Sequence, residues 1–335
     1  MKRALITGIT GQDGSYLAEH LLSQDYEVYG LVRYNDRPRA AAMQHLLKDV
    51  RLIDGDLLDG ASLLSALNQA EPDEVYNLAE ISYVPTSWEH AERSGQITGL
   101  GVLRILEAIR TYSDFTGSRN PGPRQIRFYQ ASSSEMFGHA EEAPQNEHTA
   151  LRPCTPYGAA KAYGHYLVQT YRESYGMYAV SGIEFNHESP RSSPTFLARK
   201  VSQGAARIKL GHQKQLRLGR LSSSRDWGFA GDYVCAMHLM LAQDEPRDFA
   251  LGTGLTHTVK QLVELAFRTV GLDWHEHVVC DTSVIRIAEA DNLRADPSKA
   301  AEELGWRAET SFADLVTMMV EADLALAHTE YDSPV

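Results

Sequence analysis

The chain has 335 residues, with 32 Lys and Arg against 44 Asp and Glu, a formal charge of −12, 43% hydrophobic residues and three cysteines. That length gives one large or two fused domains an ample core, and a charged fraction of 23% is ordinary for a folded chain. So acidic a chain repels phosphate backbones and argues against a general nucleic-acid binder, while Cys154, Cys235 and Cys280, odd in number and far apart, make neither a disulfide framework nor a metal pair.

In chain order, short apolar runs alternate with segments of helical period. Strands are expected at Ala4–Ile6, Tyr26–Val32, Val50–Ile53, Glu74–Leu78, Ile126–Ala131 and Tyr178–Phe185. Helices are expected between them, at Tyr16–Leu22, Ala40–Leu47, Ala61–Ala70, Gly99–Tyr112 and Pro156–Tyr175, the last opened by a proline in its first turn. This rhythm predicts an α/β chain, a Rossmann-type doubly wound parallel sheet. Beyond Asn186 the rhythm breaks into short strands near Leu216–Leu218 and Phe249–Leu251 and helices at Phe196–Leu210, Asp232–Ala242, Val259–Val270 and Phe312–Leu326, read as a smaller C-terminal α+β substrate-binding cap. The expected division is a cofactor-binding domain carrying the catalytic residues over 1–186 and a cap over 187–330, some of whose segments return to the sheet. The tail from His328 to Val335 lacks an apolar pattern and is expected to be loose.

Neither a signal sequence nor an apolar run of roughly 18 residues is visible, so a cytoplasmic, reducing compartment is expected. His275 and His277 suggest a metal, but a third ligand is not spaced nearby and an exposed strand is the better reading. No metal is expected.

Gly8, Gly11 and Gly14, with Thr10, Gln12 and Asp13 between them, lie between the first strand and the first helix. There a glycine turn lets backbone approach a pyrophosphate, and a helix N-terminus offers unpaired amides to it. A plain tight turn would leave the same pattern. At the end of the second strand, where an adenosine ribose meets such a domain, an acid would bind a 2′-hydroxyl and an arginine a 2′-phosphate; Arg33 takes that place and favours NADP over NAD, with Asp36 nearby. Gly55-Asp56-Leu57 closes the third strand, where Asp56 either meets the adenine edge or makes a structural turn.

Tyr157 and Lys161 stand four residues apart on one helix face. A fixed cation beside a phenol favours phenolate, so Tyr157 is a candidate general base near neutral pH and Lys161 a candidate ligand for the nicotinamide ribose. Ser133 and Glu135 end the fifth strand at the edge where ligands bind in such sheets. Ser133 is placed to hydrogen-bond a reacting hydroxyl, and Glu135 to remove a proton α to a new ketone, although a solvated loop glutamate is the plainer alternative. Arg191, Arg225 and Arg286 are candidate forked donors for a nucleotide diphosphate, or surface arginines paired with acids.

These residues resemble the extended short-chain dehydrogenase/reductases and, more narrowly, the GDP-mannose 4,6-dehydratases. The likeness rests on Gly8–Leu17, Tyr129–Gly138, Tyr157 with Lys161, Tyr171–Ala179, Phe185–Arg191, Arg225–Gly228 and Asp296–Ala300. It implies an NADP-dependent lyase that turns a GDP-hexose into a GDP-4-keto-6-deoxyhexose, with Tyr157, Ser133 and Lys161 at the C4 oxidation and Glu135 at C5. It implies a homo-oligomer, dimer or tetramer. It also extends the substrate-binding set to Ser82, Tyr83, Asn186, Glu188, Arg191, Lys200, Arg225, Arg286 and Glu289. Several positions depart from the family pattern: Glu80-Ile81-Ser82-Tyr83 stands where Ala-Gln-Ser-His is common, Ser192-Ser193 where Arg-Gly is usual, and Phe229 where His is. Alternatives left open are a dehydratase or epimerase acting on another NDP-hexose, or a non-catalytic, cofactor-sensing relative.

Overall fold

The computed structural model describes residues 1–117, 125–281 and 292–332. Seven strands, β1 (Arg3–Thr7), β2 (Glu27–Val32), β3 (Arg51–Asp54), β4 (Glu74–Asn77), β5 (Arg127–Ser133), β6 (Ala179–Glu184) and β7 (Phe249–Leu251), form one sheet in the order β3-β2-β1-β4-β5-β6-β7. Every neighbouring pair is parallel. β6 is buried at all six positions, which is why it reads in sequence as a continuous run without alternation. The order turns outward in both directions from β1, so a crevice opens at the carboxyl ends of β1 and β4.

Both sheet faces are covered. Leu17 and Leu21 of α1 (Gln12–Ser23) and Met237 and Leu241 of a later helix (Ala230–Ala242) pack on one face with Ala4, Ile6 and Val28. Leu63 and Leu67 of α2 (Gly60–Ala70), Leu106 and Ile109 of α3 (Leu100–Gly117) and Val168 of α4 (Pro156–Tyr175) pack on the other with Leu5, Val75 and Phe128. A third apolar cluster joins α5 (Leu197–Lys209), the helix Val259–Thr269 and the helix Phe312–Asp332 through Val201, Phe267, Val316 and Val320.

Asp226 ties this C-terminal layer to the sheet edge. Its Oδ1 accepts from the Thr253 amide at 3.0 Å and hydroxyl at 2.6 Å, and its Oδ2 from the amides of Gly254 at 2.9 Å and Ala295 at 3.1 Å.

Three expectations need correction. The last helix runs to Asp332, well past Leu326, so the expected loose tail is helical at least from His328 to Asp332; buried Ala327 keeps the added turns docked, and extending an existing helix is easy once it is nucleated. His275 lies in a single helical turn, Trp274–Glu276, because the Asp273 carboxylate accepts from the His275 amide, and the strand begins only at Val278. The expected helix Ala40–Leu47 is two short pieces, Arg37–Ala42 and Gln44–Leu47. Among the described residues, no helix is long and apolar enough to cross a membrane.

Candidate active site

A cleft of about 980 Å³ opens at the carboxyl edge of the sheet, between the glycine loop and the C-terminal layer. Gly8 adopts φ +73°, and a Cβ there would lie 2.8 Å from the Leu78 carbonyl carbon; a Cβ on Gly14 would lie 2.3 Å from the Gly8 oxygen. Only glycine allows β1, α1 and the segment after β4 to converge so closely. Gly11 caps α1 without a side-chain hydrogen bond, so the first-turn amides lack a side-chain cap at the cleft.

The far end of this loop is held by the segment after β6. The Ser189 hydroxyl donates to Gln12 Oε1 at 2.7 Å, Ser192 Oγ lies 2.6 Å from the same oxygen, and Gln12 Nε2 donates to the His187 carbonyl at 3.2 Å. Asp13 Oδ1 lies 3.1 Å from His187 Nε2, while His187 Nδ1 faces the Phe185 carbonyl at 2.8 Å. Burial works to neutralise His187, yet Asp13 and then Glu184 outweigh it and push the imidazole up to about 10. Asp13 is correspondingly lowered, burial opposing and His187 prevailing. Glu184, buried and accepting from Tyr129 OH at 2.7 Å, is pushed up to about 7 by burial. These three groups are a partly buried charge cluster that no spacing in the sequence assembles, because Asp13 and His187 are distant in the chain.

Across the cleft, Thr155 caps α4 by accepting from the Gly158 amide at 2.9 Å, with Pro156 in the first turn. This fixes Tyr157 and Lys161 on the buried face, 5% and 3% exposed. Lys161 Nζ donates to the Ala131 carbonyl at 2.7 Å, placing the lysine under the end of β5. A buried polar chain supports that end: Thr7 Oγ1 donates to Asn77 Oδ1, Asn77 Nδ2 to Gln130 Oε1, and Gln130 Nε2 to the same Ala131 oxygen, each at 2.7 Å. Ser133 Oγ accepts from the Glu135 amide at 3.2 Å and also hydrogen-bonds the Tyr157 phenol. Ser133, Glu135, Tyr157 and Lys161 therefore line one stretch of the cleft.

The phenol differs from the sequence expectation. Tyr157 OH donates to Glu80 Oε1 at 2.9 Å, and Glu80 Oε2 forms an ion pair with Lys161 Nζ. Burial first, and the Glu80 carboxylate second, hold the phenol well above its ordinary value of 10, so the ammonium does not favour phenolate here. The signal was in the sequence as an acid in an otherwise apolar or small stretch after β4, but its partners lie far along the chain.

The other expected positions divide. Gly8, Thr10, Gly11, Gln12, Asp13, Gly14, Arg33, Asp56 and Leu57 line the cleft on the glycine-loop side, and Ser82, Tyr83, Asn186, Glu188, Arg191, Lys200 and Arg225 line it towards the C-terminal layer. Arg33 Nε donates to Asp36 Oδ2 at 2.7 Å. Asp56 Oδ1 accepts from the Leu58 amide at 2.9 Å and so makes the turn. Arg191 is engaged by α1: its Nη2 donates to both Glu19 oxygens at 2.9 and 2.8 Å, and its guanidinium lies 3.9 Å over the Tyr16 ring. Phe229 meets that ring edge-on at 5.4 Å. Tyr83 meets Phe196 edge-on at 6.1 Å. Glu188 accepts from Ser192 Oγ at 2.6 Å, and burial pushes it up to about 7. Arg286 and Glu289 lie outside the described residues.

Residues 5–319 match the family model described as GDP-mannose 4,6 dehydratase. The chain belongs to this family. It is 47% identical to GDP-mannose 4,6 dehydratase 1 of Arabidopsis thaliana, covering 98% of this chain and 91% of that one. It is 43% identical to the GDP-mannose 4,6 dehydratase of Cricetulus griseus, covering 98% and 93%. With the GDP-mannose 4,6-dehydratase of Vibrio cholerae serotype O1 it is 41% identical, covering 98% and 95%. Among solved structures it is similar to the Thermus thermophilus UDP-glucose 4-epimerase complex with NAD, with a TM-score of 0.81 at 26% identity over 96% of this chain and 98% of that one. Streptomyces venezuelae DesIV, a dTDP-glucose 4,6-dehydratase solved with NAD, gives a TM-score of 0.81 at 24% identity over 96% of each chain and shows the same fold. The GDP-mannose 4,6-dehydratase family thus gathers the glycine loop, the Tyr157–Lys161 pair and Glu135 of this chain under one match that spans both the sheet and the C-terminal layer.

Proposed function

We propose that this chain converts GDP-mannose to GDP-4-keto-6-deoxymannose, with NADP as its nicotinamide cofactor. The observation that carries the reading is the convergence of Ser133, Glu135, Tyr157 and Lys161 on one stretch of a cleft whose other wall is the glycine loop. Family membership and relatives named for this activity support it.

The residues present fit a dinucleotide. The close approach at Gly8 and Gly14 and the uncapped start of α1 make the backbone cradle a pyrophosphate needs. Arg33 at the end of β2 supports a 2′-phosphate and hence NADP. A nicotinamide held there would supply a hydride acceptor for C4 of the hexose and a hydride donor for C6. Lys161 holds the ribose side of the site and, anchored on Ala131, keeps its position. Tyr157 takes the proton of the C4 hydroxyl, with Ser133 hydrogen-bonded beside it. A ketone at C4 makes the C5 proton acidic, and Glu135, on the short turn that follows β5, removes it and passes it to the departing C6 hydroxyl, which leaves as water; when hydride adds at C6, the proton taken from the C4 hydroxyl is returned to C5. The subunits form a homo-oligomer in this reading.

The test is incubation of the purified chain with GDP-mannose and NADP, read by mass spectrometry. A product lighter by one water, lost in Glu135→Gln, is expected. Unchanged product in Glu135→Gln, or turnover of a different nucleotide hexose only, would contradict the assignment.

A further inference from the structure

Glu80 belongs to neither the glycine loop nor α4. It lies in the segment leaving β4, its side chain 17% exposed, and it reaches across the cleft floor. One of its oxygens accepts from the Tyr157 phenol at 2.9 Å, and the other pairs with Lys161 Nζ, which also donates to the Ala131 carbonyl at 2.7 Å. Phenol, carboxylate and ammonium thus share one network. A phenol whose hydrogen is engaged by a carboxylate keeps lone pairs with which to accept a second hydrogen bond. An ammonium already paired with a carboxylate no longer acts on the phenol as an uncompensated cation.

We infer that Glu80 is the terminal proton acceptor of the oxidation step, receiving the phenol proton of Tyr157 as Tyr157 receives the proton of the sugar hydroxyl. The inference rests on the assignment of Tyr157 and Lys161 under Proposed function and deepens it. In the step, the O–H bond of the C4 hydroxyl breaks and a new phenol O–H forms. The original phenol O–H breaks, and an O–H forms on the Glu80 carboxylate. The electron pair of the C4–H bond leaves as hydride to the nicotinamide, and C4 becomes a carbonyl. The site ends with one more proton, carried by a neutral carboxyl group, and a bare phenolate is never required. Glu80 acts through Tyr157 and is a positioning residue in that sense.

The surroundings agree. The charged groups acting on the phenol are Glu80 and Glu135, both of which hold its proton on, and Lys161, whose Nζ stands 5.6 Å from the ring centroid. Lys161 also works to lower Asp13 on the glycine-loop side and Glu184 at the end of β6.

The first measurement uses cofactor-free protein isotope-labelled at the tyrosine Cζ carbon, with Tyr157→Phe assigning the resonance by NMR. In the wild type, Tyr157 stays protonated into strongly alkaline solution. In Glu80→Gln, where Lys161 loses its carboxylate, the midpoint falls by about one pH unit or more. The second is the pH profile of kcat for dehydration. Near neutral pH, Glu80→Gln falls by roughly tenfold or more and recovers as the pH rises, because only phenolate remains as the base; Glu80→Asp restores part of the neutral rate. An unshifted Tyr157 titration, or a Glu80→Gln profile that superimposes on the wild type, overturns the inference. If the wild type itself releases no water from GDP-mannose, the functional reading fails, while the titration still decides the role of Glu80.

Discussion

His187 Nε2 lies 3.1 Å from Asp13 Oδ1, so the segment after β6 is clamped to the first turn of α1 by a partly buried ion pair. The clamp joins the glycine loop to the wall that carries Asn186 and Glu188.

The pair should be visible in the pH dependence of stability. His187 is raised from 6.5 to about 10, so its contribution is complete below pH 6.5 and is lost as pH rises through about 10. Asp13 is lowered, so its contribution is present above the ordinary carboxylate range and lost at acid pH. Asp13→Ala is expected to cost roughly 2 kcal/mol near neutral pH, by leaving His187 only the more distant Glu184 as a counter-charge, 4.0 Å away. Urea unfolding across pH should show the gap between wild type and Asp13→Ala closing at both ends; a constant gap would mean that the pair is not ionised as described.

Glu188 behaves oppositely. Burial raises it from 4.5 to about 7, so its favourable term is complete below pH 4.5 and disappears as pH rises through about 7. Glu188→Gln should therefore gain stability relative to the wild type as the pH rises from 4.5 to 7, by roughly 3 kcal/mol, and keep that gain above pH 7. The same variant should raise KM for GDP-mannose if Glu188 receives a sugar hydroxyl. Equal pH profiles of unfolding for the two proteins would contradict the burial argument.

Under the proposed use of NADP, Arg33, which is held by Asp36 at 2.7 Å, is the group that would select it. Arg33→Ala should weaken NADP binding by roughly tenfold or more, through loss of a forked donor, and leave NAD little changed. Asp36→Ala should release the guanidinium and tighten NADP. Isothermal titration with both cofactors checks this, and equal losses for NADP and NAD in Arg33→Ala would remove the argument for NADP.

The sheet was legible because β1, β2 and β4 to β6 are short apolar runs set by local burial, and α4 announced itself through Pro156. Gly8, Gly11 and Gly14 and the Tyr157–Lys161 spacing were legible for the same local reason. What escaped was long-range. Asp13 meets His187, and Glu80 meets Tyr157 and Lys161, only because strand order brings the ends of β1, β4, β5 and β6 together. No period or spacing in the chain records which acid will face which base. The short strand Phe249–Leu251 was visible, but its place beside β6, in register Phe249 to Gly182, depends on pairing across the fold.

The central claim is that a hydride leaves C4, and returns to C6 of the same sugar while a water departs. GDP-mannose carrying deuterium at C4, turned over by the wild-type chain in ordinary water, tests it most directly. Deuterium is expected at C6 of the 4-keto product, with no net change in the cofactor. Deuterium found in the released cofactor or washed into solvent would contradict it.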